Sequence, residues 1–270
     1  MTNLPKTENL LLELDAGWLT IWFNRPDNRN ALSSELSSEL IATFDAIRDD
    51  RSVRGVVLRG KGGIFCAGGD LKGFKGGLQD GGASHAEVAA MNKAGGDIFM
   101  AINSAPQVVV ALVEGAAIAG GMGMVCVTDI AIVEKNAKFA LTETALGIVP
   151  AQIAPHVVSR VGFTQARRLM LTGARFGGEE AVVYGLAHSV ADGVEDMEAQ
   201  LAQIKKQVRN CAPGANAATK QVLIASCHMW GEELSAFAAD RFADCMLSDE
   251  GHEGIAAFIE KRKPRWAAEQ

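Results

Sequence analysis

Two glycine-rich segments, Cys66-Ala67-Gly68-Gly69-Asp70-Leu71 and Gly115-Ala116-Ala117-Ile118-Ala119-Gly120-Gly121, each follow an apolar run. A strand that breaks into such a turn can aim a backbone N–H away from its ladder, and two such junctions can aim two N–H groups at one oxygen. Donors preorganised in this way are worth about 2.7–4 kcal/mol each to a reaction that develops negative charge on a carbonyl. The chemistry they would serve is formation of an enolate. At Gly69 the missing side chain also lets an acyl group approach the backbone closely. Taken singly, Gly68-Gly69 is an ordinary tight-turn signal and Gly120-Gly121 an ordinary helix-packing signal.

A third feature is Glu143, one carboxylate inside the largely apolar stretch from Phe139 to Pro150. Burial disfavours the charged form and raises a carboxyl pKa toward the range useful for proton transfer, so Glu143 is a candidate general acid/base. Standing alone it would read as a salt-bridged or partly exposed glutamate. Other chemistries lose support. Neither glycine segment has the G-x-x-x-x-G-K-[ST] or G-x-G-x-x-G spacing, and there is no H-E-x-x-H and no G-x-S-x-G, which argues against nucleotide hydrolysis, hydride transfer, zinc proteolysis and serine hydrolysis. His85, His156, His188, His228 and His252 are dispersed, and no metal-ligand cluster is visible. Glu114 is read as a turn cap and Asp70 as the N-cap of a following helix.

These groups need a scaffold, and 270 residues at 48% hydrophobic content can build a sizeable core plus a smaller appendage. The net charge of -6 argues against nucleic acid as the main ligand. Five cysteines at scattered spacing, with no C-x-x-C, fit a reducing cytoplasm. The first nine residues carry no secretory signal pattern. Val108 to Val127 is apolar, but Glu114 and its glycines make it a buried strand, a turn and a buried helix rather than a membrane span.

Along the chain, Leu10 to Glu13 and Trp18 to Phe23 flank Asp15-Ala16-Gly17 as a β-hairpin. A helix capped by Ser33 follows, with Leu36, Leu40, Phe44 and Ile47 at helical spacing. Val53 to Arg59, Val108 to Val113, Thr128 to Glu134 and Lys138 to Leu141 read as strands, with one helix from Glu87 to Asn103. From Thr164 onward strand signals fade, and six helical segments run to Lys261. The fold class is α/β with repeated strand-strand-helix units, residues 1–200 forming a core and 201–270 a helical C-terminal region. Apolar faces there (Val222, Met229, Leu234, Phe237, Phe242, Met246 and Phe258) fit the core, the usual fate of such faces, or a neighbouring subunit. The glycine-rich stretch from Gly73 to Ala86 reads as a mobile loop over an acyl pocket, with acyl specificity set there and near Ala151-Gln152.

The ordered set of segments resembles the enoyl-CoA hydratase/isomerase (crotonase) family over nearly the whole chain. The resemblance rests on Asn24-Arg25-Pro26 with Asn30-Ala31-Leu32, on Phe65-Cys66-Ala67-Gly68-Gly69-Asp70-Leu71-Lys72, and on Gly115 to Gly121 leading to Asp129-Ile130-Ala131. Leu171-Thr172-Gly173, Glu253 to Phe258 and Lys261-Arg262-Lys263-Pro264 complete it. It implies a spiral of ββα units, a C-terminal helical trimerisation region, and a homotrimer or dimer of trimers. It further implies that Gly69 and Gly120 hold the thioester oxygen of an acyl-CoA, that Ala67, Gly68, Gly69, Asp70, Leu71 and Lys72 line the ligand path, and that no cofactor beyond the substrate's own coenzyme A is needed. Arg25, Arg29, Lys72 and the Lys261-Arg262-Lys263 run are candidates to meet CoA phosphates, or are simply solvated.

One departure matters. Hydratases that this chain resembles bring two glutamates to the double bond, and Gly123 stands where the first would fall, leaving Glu143 alone. A general acid/base group contributes 10²–10⁴-fold, so its loss is serious without being fatal. Three outcomes follow: hydration through Glu143 alone, double-bond isomerisation with Glu143 as sole proton shuttle, or acyl-CoA binding without turnover. The stretch from Leu141 to Pro155 resembles family members that hydrate branched glutaconyl-CoA thioesters.

Overall fold

The computed structural model describes residues 3–70 and 82–268. Its first unit is the hairpin β1 (Leu10–Asp15) and β2 (Trp18–Phe23), paired antiparallel from Leu10↔Phe23 to Asp15↔Trp18. Ala16 (φ 45°) and Gly17 (φ 76°) turn it, the two left-handed residues that a two-residue hairpin of this twist requires. Ser33 then caps α1 (Ser34–Ile47) by accepting the Leu36 N–H, and Leu36, Leu40, Phe44 and Ile47 bury their stripe.

From there the chain alternates between two sheets. β3 (Gly55–Gly60), β4 (Val108–Val113), β6 (Ile130–Glu134) and β9 (Ser189–Ala191) extend the hairpin into a six-stranded sheet of order β1-β2-β3-β4-β6-β9, parallel beyond the hairpin. β5 (Ala116–Ile118), β7 (Lys138–Ala140) and β8 (Phe176–Gly177) form a second sheet. From β4 onward the pairs β4/β5, β6/β7 and β8/β9 each give one strand to each sheet, with helices between, and the β3 unit touches the second sheet only through the Cys66↔Ala117 bridge, which is the expected spiral of ββα units. The apolar run from Val108 becomes β4, β5 and the buried helix α4 (Gly120–Cys126). Among the described residues no helix is long and apolar enough to cross a membrane.

Several elements depart from the sequence expectation. The single helix from Glu87 to Asn103 is two, α2 (His85–Ala94) and α3 (Asp97–Asn103), broken at Gly95-Gly96 where a Cβ on Gly96 would lie 2.5 Å from Gln152 Oε1. Strands persist beyond Thr164: β8 and β9 are too short to show a period and owe their conformation to Phe139↔Phe176 and Ile132↔Ser189 pairing. An unanticipated helix, α5 (Ala154–Val161), follows the Glu143 region and leads through Gly162 into α6 (Phe163–Thr172), with α7 (Gly178–Val183) between β8 and β9.

The helix α8 (Val194–Arg209) runs unbroken through position 200 and packs Met197, Leu201 and Val208 with Trp18, Val57, Val110 and Ile132 of the sheet. It is followed by α9 (Pro213–Ala225), α10 (Gly231–Met246) and α11 (Asp249–Ile259). α8, α9 and the C-terminal segment are tied to residues just before β3, β4 and β6 by polar contacts: the Arg54 guanidinium donates to the carbonyls of Val208, Cys211 and Trp266, and Lys220 Nζ reaches Asp129 Oδ2 at 2.5 Å and the Gln107 carbonyl at 2.6 Å. Their apolar faces do not all serve the core. Phe242 is 67% and Phe258 85% exposed, and α10 buries no residue fully, so these two side chains do not cover the core, whereas Val222, Met229, Leu234 and Phe237 are partly buried.

Candidate active site

The two glycine segments meet because a short parallel ladder joins them. Phe65 N–H donates to the Glu114 carbonyl, Cys66 N–H to Ala116, and Ile118 N–H back to Cys66, each at 3.0 Å. A second bridge fixes Gly69 against Leu32: Leu32 N–H donates to the Gly68 carbonyl and Asp70 N–H to the Leu32 carbonyl, both at 2.8 Å. In this pattern the bonds flank Gly69, so its own N–H faces away from Leu32. The Gly68 N–H is already engaged by the buried Cys66 sulfur at 3.4 Å, a thiol whose pKa burial pushes up to about 12. Leu32 is itself placed by Asn30, fully buried, whose amide donates to the Lys61 and Ile64 carbonyls.

On the other segment, Ala119 adopts φ 50°, ψ -120°, a conformation that costs an alanine about 1–3 kcal/mol and that the surroundings must enforce. Its N–H donates to the Ala140 carbonyl and its carbonyl accepts from Gly123. The kink points the chain sharply into α4, whose first residue is Gly120. Helix-initial N–H groups lack intrahelical partners, and among the described residues no backbone carbonyl accepts from Gly69 or Gly120. The segments touch: a Cβ on Gly68 (φ 97°) would lie 3.1 Å from both Ala119 Cβ and the Ile118 carbonyl oxygen. Gly69 and Gly120 are each one residue beyond that contact.

Glu143 opens a single 3-10 turn (Glu143–Leu146) that follows β7, with Gly147 left-handed at its end and the Thr144 hydroxyl donating to the Met170 carbonyl. Its side chain is half-buried. Desolvation raises its pKa above the ordinary carboxylate value, opposed by a hydrogen bond from its own backbone N–H. Its Oε2 is buried with no hydrogen-bond partner, and among the described residues Glu143 forms no ion pair. A buried carboxylate oxygen left unsatisfied in this way is rare and fits a group awaiting a proton or a water.

Gly123 lies one turn into α4. A Cβ there would fall 2.4 Å from Ile153 Cγ2 and 3.0 Å from Phe99 Cε1, so the position is filled by neighbours rather than empty. Leu32, Phe99, Ile153 and Ala119 were not identified as site residues from sequence. Leu32, Phe99 and Ile153 approach from separate turns of the chain, and only the coordinates bring them together with Ala119, which directly precedes Gly120. Gln152, expected near the reacting bond, donates to Asn92 Oδ1 of α2 at 2.8 Å.

Other expectations change. Glu114 is no turn cap: its carboxylate pairs with Arg59 at 2.6 Å, and Arg59 also pairs with Glu198 and stacks on Trp22. Arg25 is engaged by Asp70 and the Ala31 carbonyl, and Arg262 by Glu253 and Glu260. Leu71, Lys72, the helix that Asp70 was expected to cap, and most of the loop from Gly73 lie outside the described residues.

The family model for enoyl-CoA hydratase/isomerase matches residues 13–269. Among solved structures, AtuE of Pseudomonas aeruginosa is similar at 50% identity and TM-score 0.92, covering 97% of this chain and 100% of that one. An enoyl-CoA hydratase/isomerase from Marinobacter aquaeolei is similar at 44% identity and TM-score 0.91, covering 96% and 99%. Enoyl-CoA hydratase ACTT6 of Alternaria alternata is 31% identical over 244 residues, 90% of this chain and 78% of that protein. With the spiral of ββα units and the paired glycine segments, these matches establish that the chain belongs to the enoyl-CoA hydratase/isomerase family of enzymes.

Proposed function

We propose that this enzyme hydrates an α,β-unsaturated acyl-CoA thioester of branched or glutaconyl type, using the N–H groups of Gly69 and Gly120 as an oxyanion hole and Glu143 as its single acid/base. The observation that carries this reading is the buried, unpartnered Glu143 Oε2 combined with a raised pKa. The thioester oxygen sits between the two amides. Glu143 takes a proton from water, the water oxygen bonds to C3, and the C2=C3 electron pair moves onto the thioester oxygen as an enolate. Collapse of the enolate returns the Glu143 proton to C2 on the same face. Atoms balance with one water consumed, and coenzyme A is part of the substrate, so the step calls for no further cofactor.

In this reading Ala67, Gly68, Gly69 and Asp70, continuing to Leu71 and Lys72, line the ligand path. Residues to about 200 carry the chemistry, and those beyond supply pocket cover and contacts in a homotrimer or dimer of trimers. Exposed Leu247, Phe258 and Ile259 support the latter. Five unpaired cysteines support a cytoplasmic location. Gly123, with no carboxylate to share the work, also favours a second reading, isomerisation of a 3-enoyl-CoA by Glu143 moving one proton between C2 and C4.

Solvent ¹⁸O separates the two. Hydration incorporates label at C3 and bleaches the conjugated enoyl-thioester absorbance; isomerisation creates that absorbance and incorporates none. A protein that does neither with branched, dicarboxylic or linear thioesters, while still binding them, refutes both.

A further inference from the structure

Gly120 and Gly123 are three residues apart on α4 and share a face. Hydrocarbon seals that face. A Cβ on Gly120 would meet Leu32 Cδ1 at 2.8 Å and Phe99 Cζ at 3.9 Å, and one on Gly123 would meet Phe99 Cε1 and Ile153. The Phe99 ring therefore spans both glycines, and Ile153 closes the far end. Phe99 and Ile153 are each only 4% exposed, so this wall is held firmly in place. Three residues of helix rise about 4.5 Å, somewhat more than the span from a thioester oxygen to its own C3. An acyl group whose oxygen rests on the Gly120 amide, as in the reading above on which this step rests, lays C2 and C3 along Phe99 and Ile153. A Leu-Phe-Ile surface offers water or a carboxylate no hydrogen bond, whereas a carbon substituent gains from burial against it.

We propose that Ile153 is a specificity-determining residue: seated over Gly123, it presents hydrocarbon to C3 and selects acyl thioesters that carry a carbon branch there over linear ones. One methyl or methylene in an apolar pocket discriminates by roughly 10–200-fold, which sets the scale of the effect.

The test separates binding from turnover. Affinities for 3-methylbutanoyl-CoA and butanoyl-CoA, saturated thioesters that differ by the branch alone, are measured by calorimetry for the wild-type enzyme, Ile153→Val and Ile153→Ala, with fold checked by circular dichroism. The wild type is expected to bind the branched thioester roughly tenfold or more tightly, the preference shrinking in Ile153→Val and vanishing in Ile153→Ala. No preference in the wild type, or a preference unchanged across folded variants, overturns the assignment. Should Ile153→Ala fail to fold, Ile153→Val decides alone. The catalytic reading fails on a different result, undiminished turnover in Glu143→Gln, which leaves these affinities untouched.

Discussion

Gly68 lies against Ala119 so closely that a Cβ on the glycine would sit 3.1 Å from the alanine's own Cβ. That contact locks two turns about fifty residues apart in the chain, one residue before each of the two amides proposed to hold the thioester oxygen. Gly68→Ala combines this crowding with a φ of 97° that L side chains rarely adopt. We expect a folded protein whose kcat falls on the order of 10²–10³-fold, as when one oxyanion donor is displaced. Steady-state kinetics beside a circular dichroism spectrum check this, and wild-type kcat in the variant would contradict it.

Glu143→Gln should lower kcat by roughly 10²–10⁴-fold while leaving acyl-CoA affinity nearly unchanged. Because Glu143 must be ionised to accept a proton from water, and burial raises its pKa above 4.5, the acid limb of the wild-type kcat profile is expected above that value. A limb at or below 4.5 would assign it to another group.

The same raised pKa predicts a stability effect. Between 4.5 and the higher folded value, the native state keeps a proton that the unfolded chain releases. The associated stability is fully present below pH 4.5 and is lost as pH rises through the folded pKa. Glu143→Gln should therefore raise Tm at neutral pH, and the gain should shrink on acidification. A Tm difference independent of pH would show that desolvation of the carboxylate is not its cause.

Gly123→Glu is the obvious way to supply a second carboxylate, but the side chain has no room while Ile153 Cγ2 stands 2.4 Å from its Cβ. Alone, the substitution is expected to overpack α4 at a cost of about 1–3 kcal/mol without a gain in crotonyl-CoA hydration. Pairing it with Ile153→Ala should recover Tm and allow that gain. Equal Tm values for the single and double variants would argue against the packing account.

Lys220→Met removes the cation beside Asp129, whose Oδ2 also accepts the Val109 N–H. Stranding this partly buried carboxylate should cost about 1–3 kcal/mol and loosen α9 first. Hydrogen exchange over 213–225 reads this, and unchanged protection there would mean that apolar packing alone holds the helix.

Much of the fold was legible because it is locally encoded. Ala16-Gly17 between apolar strands, Ser33 ahead of a helical stripe, and the Val-rich runs of β3 and β4 each carry their own signal. Where the outcome depends on partners distant in sequence, the signal is missing: β8 and β9 are strands only through pairing, and Gly95-Gly96 separates α2 from α3 where Gln152 lies against Gly96. The candidate site divides the same way. Gly69, Gly120 and Glu143 stand out by residue type and local context. Phe99 and Ile153 look like any core residue until the coordinates place both against Gly123.

The alternation of strands between two sheets has a consequence for how such an enzyme diversifies. Phe99 and Ile153 come from two different turns of the spiral, whereas the two amides sit on ladders that neither residue helps to form. Under the proposed reading, pocket shape and charge stabilisation are thus separable traits, and a lineage can refit the cavity to new acyl groups one surface at a time while its means of holding an enolate is inherited intact.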